Sequence, residues 1–155
     1  MRADADRLLA PSFAKVMRKT LQPLLQPIVD LETIGMRVGR VVLLGDAAHP
    51  MYPIGSNGAS QAILDAECLA DSLNTADHVV DALKTYEAVR LPATAKIVLQ
   101  NRQMGPEQVM QIVEDRAPNG FEKLDDVISR EELEAIANRY KTIAGFDRES
   151  LNQKN

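Results

Sequence analysis

The sequence has one cysteine, no tryptophan and only 4% aromatic residues, and these scarcities exclude several kinds of site. A lone Cys68 can form neither an internal disulfide nor a multi-cysteine metal site, which favours a cytoplasmic protein. No apolar run approaches the ~20 residues that a membrane-spanning helix needs, and the N-terminus lacks a signal-peptide pattern. The net charge is −4 without a basic cluster, which argues against nucleic acid and anionic membranes as partners.

The most informative stretch, residues 39–66, predicts a strand, a glycine-rich loop and a helix in that order. Residues 41–44 are consecutive apolar residues, which are typical of a short strand buried on both faces. Gly45 and Asp46 close this strand, and a loop with prolines and glycines follows. The helix is predicted over 59–73, because its apolar residues recur at three- and four-residue steps.

A strand, loop and helix in this order can hold a polar or anionic ligand. Glycines let the backbone come close to a ligand, and the free N–H groups at a helix N-terminus carry partial positive charge. On spacing alone, however, a plain crossover whose glycines only form turns is an equally good interpretation.

The side chains of this stretch are more specific than its spacing; they include Gly39-Arg40, Gly45-Asp46-Ala47-Ala48-His49, Pro53, Gly55, Asn57-Gly58 and Asp65-Ala66. This set closely resembles the second flavin-binding motif of the FAD-dependent aromatic-ring hydroxylases, the para-hydroxybenzoate hydroxylase-like group that includes salicylate- and phenazine-type monooxygenases. The resemblance implies FAD as cofactor, NAD(P)H and O₂ as co-substrates, and a small aromatic substrate.

The resemblance also implies which residues contact the cofactor. Asp46 is expected to accept hydrogen bonds from the ribityl hydroxyls of FAD, with a strand-end turn residue as the alternative interpretation. The loop and helix start are expected to line the isoalloxazine ring, with backbone amides at 57–59 as donors. The expected cofactor-binding residues are Gly45, Asp46, Pro53, Gly55, Ser56, Asn57, Gly58 and Ala59. No catalytic side chain and no metal ligand is expected.

Two further residues of the stretch are expected to be structural. His49 has no serine or cysteine nucleophile nearby, and the only other histidine is His78, so a catalytic triad or a multi-histidine zinc site is not indicated. We expect the His49 side chain to be hydrogen-bonded to backbone. Asp65 is expected to be the buried partner of Arg40 or Arg90.

The whole chain is predicted to be a helix-rich α/β remnant, the C-terminal part of a flavin monooxygenase fold. Short strands are predicted at 26–31 and 40–45, and helices at 11–20, 59–73, 78–90, 93–103, 106–116 and 129–143. Pro92 is expected to kink or restart the helix in which it lies, Ser129 to cap the last helix and Gly145 to end it. The tail beyond Phe146 is expected to be loose.

The chain is expected to divide into three segments, and one motif that the resemblance leads us to expect is missing from it. We expect an N-terminal helical segment at 1–24, the FAD-binding segment at 25–104 and a C-terminal helical extension at 105–155. No Gly-x-Gly-x-x-Gly pattern for the ADP half of FAD is present, so a fragment or truncated gene model with weak or no FAD binding is expected. The alternatives are a non-catalytic helical module that packs on a partner chain, self-association through exposed apolar surface, and a binder of another nucleotide.

Overall fold

The chain is built mainly from helices in a computed structural model that describes residues 2–147. The helices are α1 (Arg2–Leu8), α2 (Pro11–Lys19), α3 (Gly58–Thr75), α4 (Val79–Arg102), α5 (Gln108–Arg116) and α6 (Arg130–Ala144). Single 3-10 turns lie at Gly45–Ala47, Ile54–Ser56, Gly105–Glu107 and Leu124–Asp126. The helix-rich character is as predicted, whereas the prediction for the tail beyond Phe146 falls, apart from Asp147, on residues 148–155, outside the described residues.

The strands are much shorter than predicted. β1 (Arg37–Val38) and β2 (Val41–Val42) form an antiparallel hairpin, with Arg37 opposite Val42 and Val38 opposite Val41. The strand predicted over 40–45 is therefore reduced to its first apolar pair. Val41 is 67% exposed, because the described chain supplies one two-residue neighbour and nothing to cover the outer face.

The strand predicted at 26–31 is wrong, because this segment has no regular structure. Its backbone makes one contact with the site region, where the N–H of Leu31 donates to the carbonyl of Pro50 over 3.1 Å. Pro27 lacks a ladder donor, and no neighbouring strand lies beside the segment in residues 2–147. An apolar pattern alone does not make a strand when there is no sheet edge to join.

Helix α4 runs through Pro92 as one continuous element. Of the two predicted outcomes at this residue, a kink or a restart of the helix, the restart is therefore wrong. Proline removes the hydrogen bond that the carbonyl of Ala88 would otherwise accept. Both Pro92 and Ala88 are exposed, and water can satisfy that carbonyl. The tertiary contacts of α4 on both sides of the proline then keep the two halves in one helix.

The hairpin is fixed to α4 by a buried core and two polar contacts. Met36, Ala48 and Tyr86 form the centre of this core. The Tyr86 hydroxyl donates to the carbonyl of Leu43 over 3.0 Å, and the Glu87 carboxylate accepts the N–H of Met36 over 2.8 Å. These contacts with α4 therefore fix the position of the end of β2, where the predicted site begins.

Helix α6 begins and ends as predicted. The Ser129 hydroxyl accepts the N–H of Glu132 over 3.2 Å, and Gly145 closes the helix in the left-handed conformation at φ 76°. Helix α6 packs against α4 and against the turn at Gly105–Glu107. In residues 2–147, no helix has the length and apolar character that a bilayer crossing requires.

Candidate functional site

The exposed carboxylate of Asp46 lies beside the start of α3. A Cβ atom built on Gly58, the first residue of α3, would be 3.7 Å from Asp46 Oδ1. Among residues 2–147, the Asp46 carboxylate has neither a hydrogen-bond partner nor an ion-pair partner. The structure therefore brings together a free carboxylate and a helix start, the two features that the sequence predicts to share a ligand.

The start of α3 has unsatisfied backbone donors. Its N-cap residue Asn57 makes no side-chain capping bond, and the first turn contains no acidic residue. The first N–H groups of a helix have no intrahelical acceptor and lie at the positive end of the helix dipole. These N–H groups can therefore donate to an external acceptor, either a carbonyl oxygen or an anion.

The loop over residues 53–58, called the site loop below, contains two consecutive residues in the left-handed conformation. Gly55 has φ 71° and Ser56 has φ 50°. The left-handed conformation costs a non-glycine residue such as Ser56 ~1 kcal/mol. Gly55 donates its N–H to both carboxylate oxygens of Glu107, over 2.9 and 3.1 Å. The N–H of Gly55 is thus already used within the protein, so its contribution to a site is the turn itself.

The remaining predicted site residues divide by exposure. Pro53, Ser56 and Ala59 have exposed side chains, whereas Gly45 is buried and packs so closely on α3 that a Cβ there would lie 3.2 Å from that of Ala62. The Asn57 side chain is 4% exposed, and its Oδ1 accepts from Gln61 over 3.3 Å. Its Nδ2 has no partner in the described part of the chain.

A buried carboxylate ties the end of β2 to the middle of α3. Asp65 is fully buried and accepts the N–H of Gly45 over 2.9 Å and Nε of Arg90 over 2.6 Å. Arg90 also donates to the side-chain oxygen of Gln61 over 2.7 Å. The prediction that Asp65 pairs with a buried arginine is confirmed for Arg90, while Arg40 is exposed and takes no part.

The His49 side chain is buried and hydrogen-bonded, but the predicted partner is wrong. Its ring is buried, and Nε2 lies 2.6 Å from Oδ2 of Asp65 instead of bonding to backbone. An ionised carboxylate can only accept, so Nε2 carries the proton. A buried imidazole N–H needs an acceptor, and the buried Asp65 side chain, which also pairs with Arg90, supplies a charged one.

The surroundings of Asp65 hold it in the ionised form. Burial on its own would raise the pKa of this carboxyl, but hydrogen bonds from His49, Arg90 and the Gly45 N–H outweigh burial and lower the pKa below its ordinary value. The charges of Asp65 and Arg90 therefore compensate each other, and this pair holds Gly45, and with it Asp46, in a fixed position beside α3.

Sequence reasoning missed the residues that support the site loop from the C-terminal part of the chain. The Tyr140 hydroxyl lies 3.0 Å from Oδ1 of Asn101 and 3.3 Å from the carbonyl of Ile54. Asn101 in turn donates to the carbonyl of Tyr52 over 3.1 Å. The signals in the sequence are two glycines: a Cβ at Gly55 would collide with the Tyr140 hydroxyl, and a Cβ at Gly105 would lie 3.1 Å from the Tyr140 ring.

A cavity of about 650 Å³ lies elsewhere, between α3, α4 and the end of α6. Gln61, Cys68 and Arg90 line it, but none of the eight predicted cofactor-binding residues does. Within residues 2–147, no group of histidine, cysteine and acidic side chains is suited to a metal ion. The predicted site is instead an open surface formed by Asp46 and the start of α3.

Comparisons with known proteins cover this same region. Residues 30–101 match the family model described as FAD binding domain. The chain is 41% identical over 129 residues to the phenazine 1,6-dicarboxylic acid hydroxylase of Lysobacter antibioticus, an alignment that covers 83% of this chain and 29% of the relative. It is 45% identical over 100 residues to the 3-amino-4-hydroxybenzoate 2-monooxygenase of Streptomyces platensis, an alignment that covers 59% of this chain and 25% of the relative.

A third relative, the 3-hydroxybenzoate 6-hydroxylase 1 of Aquipseudomonas alcaligenes, is 50% identical over 64 residues, covering 41% of this chain and 16% of the relative. The chain thus spans less than a third of each of these three relatives. The segment matched by the family model contains all eight predicted cofactor-binding residues, together with Asp65 and Arg90.

Proposed function

We propose that this chain is a segment of an FAD-dependent aromatic-ring hydroxylase and forms the part of the cofactor site that holds the ribityl chain and isoalloxazine ring. The match of residues 30–101 to the FAD binding domain model and the 41% identity to a phenazine 1,6-dicarboxylic acid hydroxylase support this proposal. The observation that carries the proposal is the unpaired Asp46 carboxylate beside the uncapped start of α3. Asp46 accepts from ribityl hydroxyls, and the N–H groups of Gly58 and Ala59 donate to the N1–C2=O edge of the ring.

The chemistry of these groups fits the cofactor. A carboxylate accepts two hydrogen bonds, as a polyol chain requires. A helix start stabilises negative charge by about 0.3–2 kcal/mol, and the reduced ring carries negative charge near N1. Bound FAD supplies electron transfer from NAD(P)H and the activation of O₂, while the protein orients the ring and excludes water.

For the complete polypeptide we propose hydroxylation of a small aromatic substrate with NAD(P)H and O₂. The proposal is supported by the relatives, which are named for the hydroxylation of phenazine and benzoate compounds. This sequence contains no Gly-x-Gly-x-x-Gly, so we propose that the 155-residue chain binds FAD weakly when alone. We also propose a cytoplasmic location, which the single cysteine supports. We further propose that the chain divides into three segments, 1–24, 25–104 and 105–155.

The proposed site is tested by adding FMN or FAD to the ¹⁵N-labelled chain and following backbone amide shifts by NMR. We expect the largest shifts at residues 57–59, with dissociation constants for FMN and FAD within about threefold of each other, since both share the ring and ribityl chain. Asp46→Ala should weaken binding about tenfold, because a charge-assisted hydrogen bond is lost. Asp71→Ala, an exposed aspartate later on α3, is the matched control. Shifts that cluster elsewhere, or equal affinities of the two variants, would falsify the proposal.

A second proposal concerns the exposed apolar residues before the hairpin. Leu21, Leu24, Leu25 and Ile34 are 88%, 85%, 84% and 100% exposed, which is unusual for large side chains in one short stretch. We propose that the chain self-associates through this surface. Sedimentation across a range of concentrations should show oligomers that Leu24→Ser with Leu25→Ser reduces; a monomer at every concentration would contradict this proposal.

A further inference from the structure

The site loop rests on side chains from beyond the FAD binding segment. Two side chains form hydrogen bonds with the backbone of this loop, Glu107 with Gly55 and Tyr140 with Ile54, across 52 and 86 residues of sequence. Glu107 and Tyr140 both follow position 101, where the match to the family model ends. The match to the family model therefore does not include the residues that hold the loop in place.

Glu107 holds the backbone of the loop. Both of its carboxylate oxygens accept the N–H of Gly55, within 3.1 Å, at the residue where the backbone enters the left-handed conformation. Hydrogen bonds to a charged acceptor are stronger than those between neutral groups. This contact therefore stabilises the turn that leads into α3.

The Tyr140 side chain packs against the site loop. A Cβ on Gly55 would collide with the Tyr140 hydroxyl, and a Cβ on Gly105 would lie 3.1 Å from the ring. The side chain is 8% exposed, and its hydroxyl is 3.0 Å from Oδ1 of Asn101. Burial raises the pKa of this hydroxyl, so it stays protonated and can donate at neutral pH.

We propose that Glu107 and Tyr140 are positioning residues of the site loop, which set where the first N–H groups of α3 lie relative to Asp46. This inference rests on the proposed flavin site and assigns the C-terminal part of the chain a role in shaping it. Glu107 anchors the loop by its backbone, and Tyr140 prevents its collapse toward α6. Neither residue is proposed to take part in the chemistry.

The test compares amide hydrogen exchange of the ligand-free chain and three variants by NMR. Glu107→Ala should raise the exchange rate of the Gly55 amide at least about tenfold, while amides of α4 change less than about twofold. Glu107→Gln should restore protection, because its side-chain oxygen still accepts the Gly55 N–H. Tyr140→Phe keeps the ring and loses the hydroxyl, and should raise exchange at residues 55–57 by a smaller factor.

A matched control separates loop positioning from general loosening of the C-terminal helices. Glu132→Gln weakens the ion pair with Arg116 between α5 and α6, which does not contact the site loop, and should leave Gly55 exchange unchanged. An unchanged Gly55 rate in Glu107→Ala, or an equal rise in Glu132→Gln, overturns the inference.

A second readout ties the inference to the flavin site. In the wild-type chain FMN should shift the amides at 57–59, and Glu107→Ala should reduce these shifts while Glu107→Gln retains them. If FMN shifts nothing in the wild-type chain, the proposed function fails, yet the exchange rates still decide whether Glu107 positions the loop. If FMN shifts are equal in all variants, the positioning role fails while the proposed function stands.

Discussion

Asp65 accepts a hydrogen bond from the backbone N–H of Gly45 over 2.9 Å, and this contact joins two elements that are 20 residues apart. Gly45 directly precedes Asp46, so the position of the free carboxylate beside α3 depends on a residue buried in the middle of that helix. The same carboxylate neutralises Arg90 and orients His49. Stability and the geometry of the proposed site are therefore coupled through one side chain.

Replacing Asp65 with asparagine should strongly destabilise the chain. The amide removes the negative charge that compensates Arg90, whose side chain is 8% exposed. Removing one partner of a buried ion pair typically costs about 3–5 kcal/mol, because the other charge stays buried without compensation. Urea unfolding followed by circular dichroism measures the change in the free energy of unfolding.

The control for this substitution is Asp81→Asn. Asp81 pairs with Lys84 on the exposed side of α4, so the loss of its charge should leave the unfolding midpoint almost unchanged. A midpoint for Asp65→Asn as close to the wild type as that of Asp81→Asn would show that the buried pair does not stabilise the fold.

The ionisation of Asp65 should make the chain sensitive to acid. Its pKa in the folded chain is below the unfolded value of about 3.9, because the hydrogen bonds outweigh burial. Its contribution to stability is therefore complete above that unfolded value and is lost as the pH falls through the folded pKa. A ¹³C titration of the aspartate carboxyl carbons, in the native chain and in urea, measures both values. A folded pKa at or above the value in urea would contradict the assignment.

The sequence predicts the parts of this arrangement that are encoded locally. Helix α3 follows from its apolar period, and the start of α6 follows from Ser129 and Glu132. For Asp65 the sequence predicts a buried arginine partner, Arg40 or Arg90, and the structure selects Arg90. These signals lie within one or two turns of helix, or within two neighbouring helices. Each of these features therefore depends on residues in the same helix or in an adjacent one, and not on the rest of the fold.

Contacts across long sequence separations could not be predicted. The strand expected at 26–31 depends on a neighbouring sheet edge, which the described chain does not provide. The contact of Glu107 with Gly55 spans 52 residues, and no spacing rule relates a helix-start glutamate to that loop. The sequence also does not identify Asp65, on α3, as the partner of His49, because nothing in the sequence shows that the His49 ring faces this helix.

A Cβ atom at Gly55 should disrupt the site loop more than the same change elsewhere. Gly55→Ala places a methyl group against the Tyr140 hydroxyl at a residue with φ 71°. Gly145→Ala is the matched control, since Gly145 has φ 76° and nothing within 4 Å of its Cβ position. Both variants carry a backbone cost of about 1 kcal/mol, and only the first adds the collision. Thermal unfolding should therefore show a larger loss for Gly55→Ala.

Tyr86 should make the chain lose stability at alkaline pH. Its side chain is fully buried, and burial raises the pKa of the hydroxyl far above the ordinary value of about 10. Since the folded pKa exceeds the unfolded one, this contribution to stability is complete below about pH 10 and is lost as the pH rises toward the folded value. Tyr86→Phe removes this dependence, and at neutral pH it costs about 0.5–1.5 kcal/mol by losing the hydrogen bond to Leu43.

Urea unfolding of the wild type and Tyr86→Phe at about pH 8 and about pH 11 tests this expectation. The wild type should be the more stable of the two at the lower pH, and its advantage should shrink or reverse at the higher pH, because only its unfolded state gains the Tyr86 phenolate. Tyr140 contributes to alkaline sensitivity in both proteins and cancels in the difference. A stability difference that stays constant between the two pH values would show that Tyr86 ionises as readily in the folded chain as in the unfolded one.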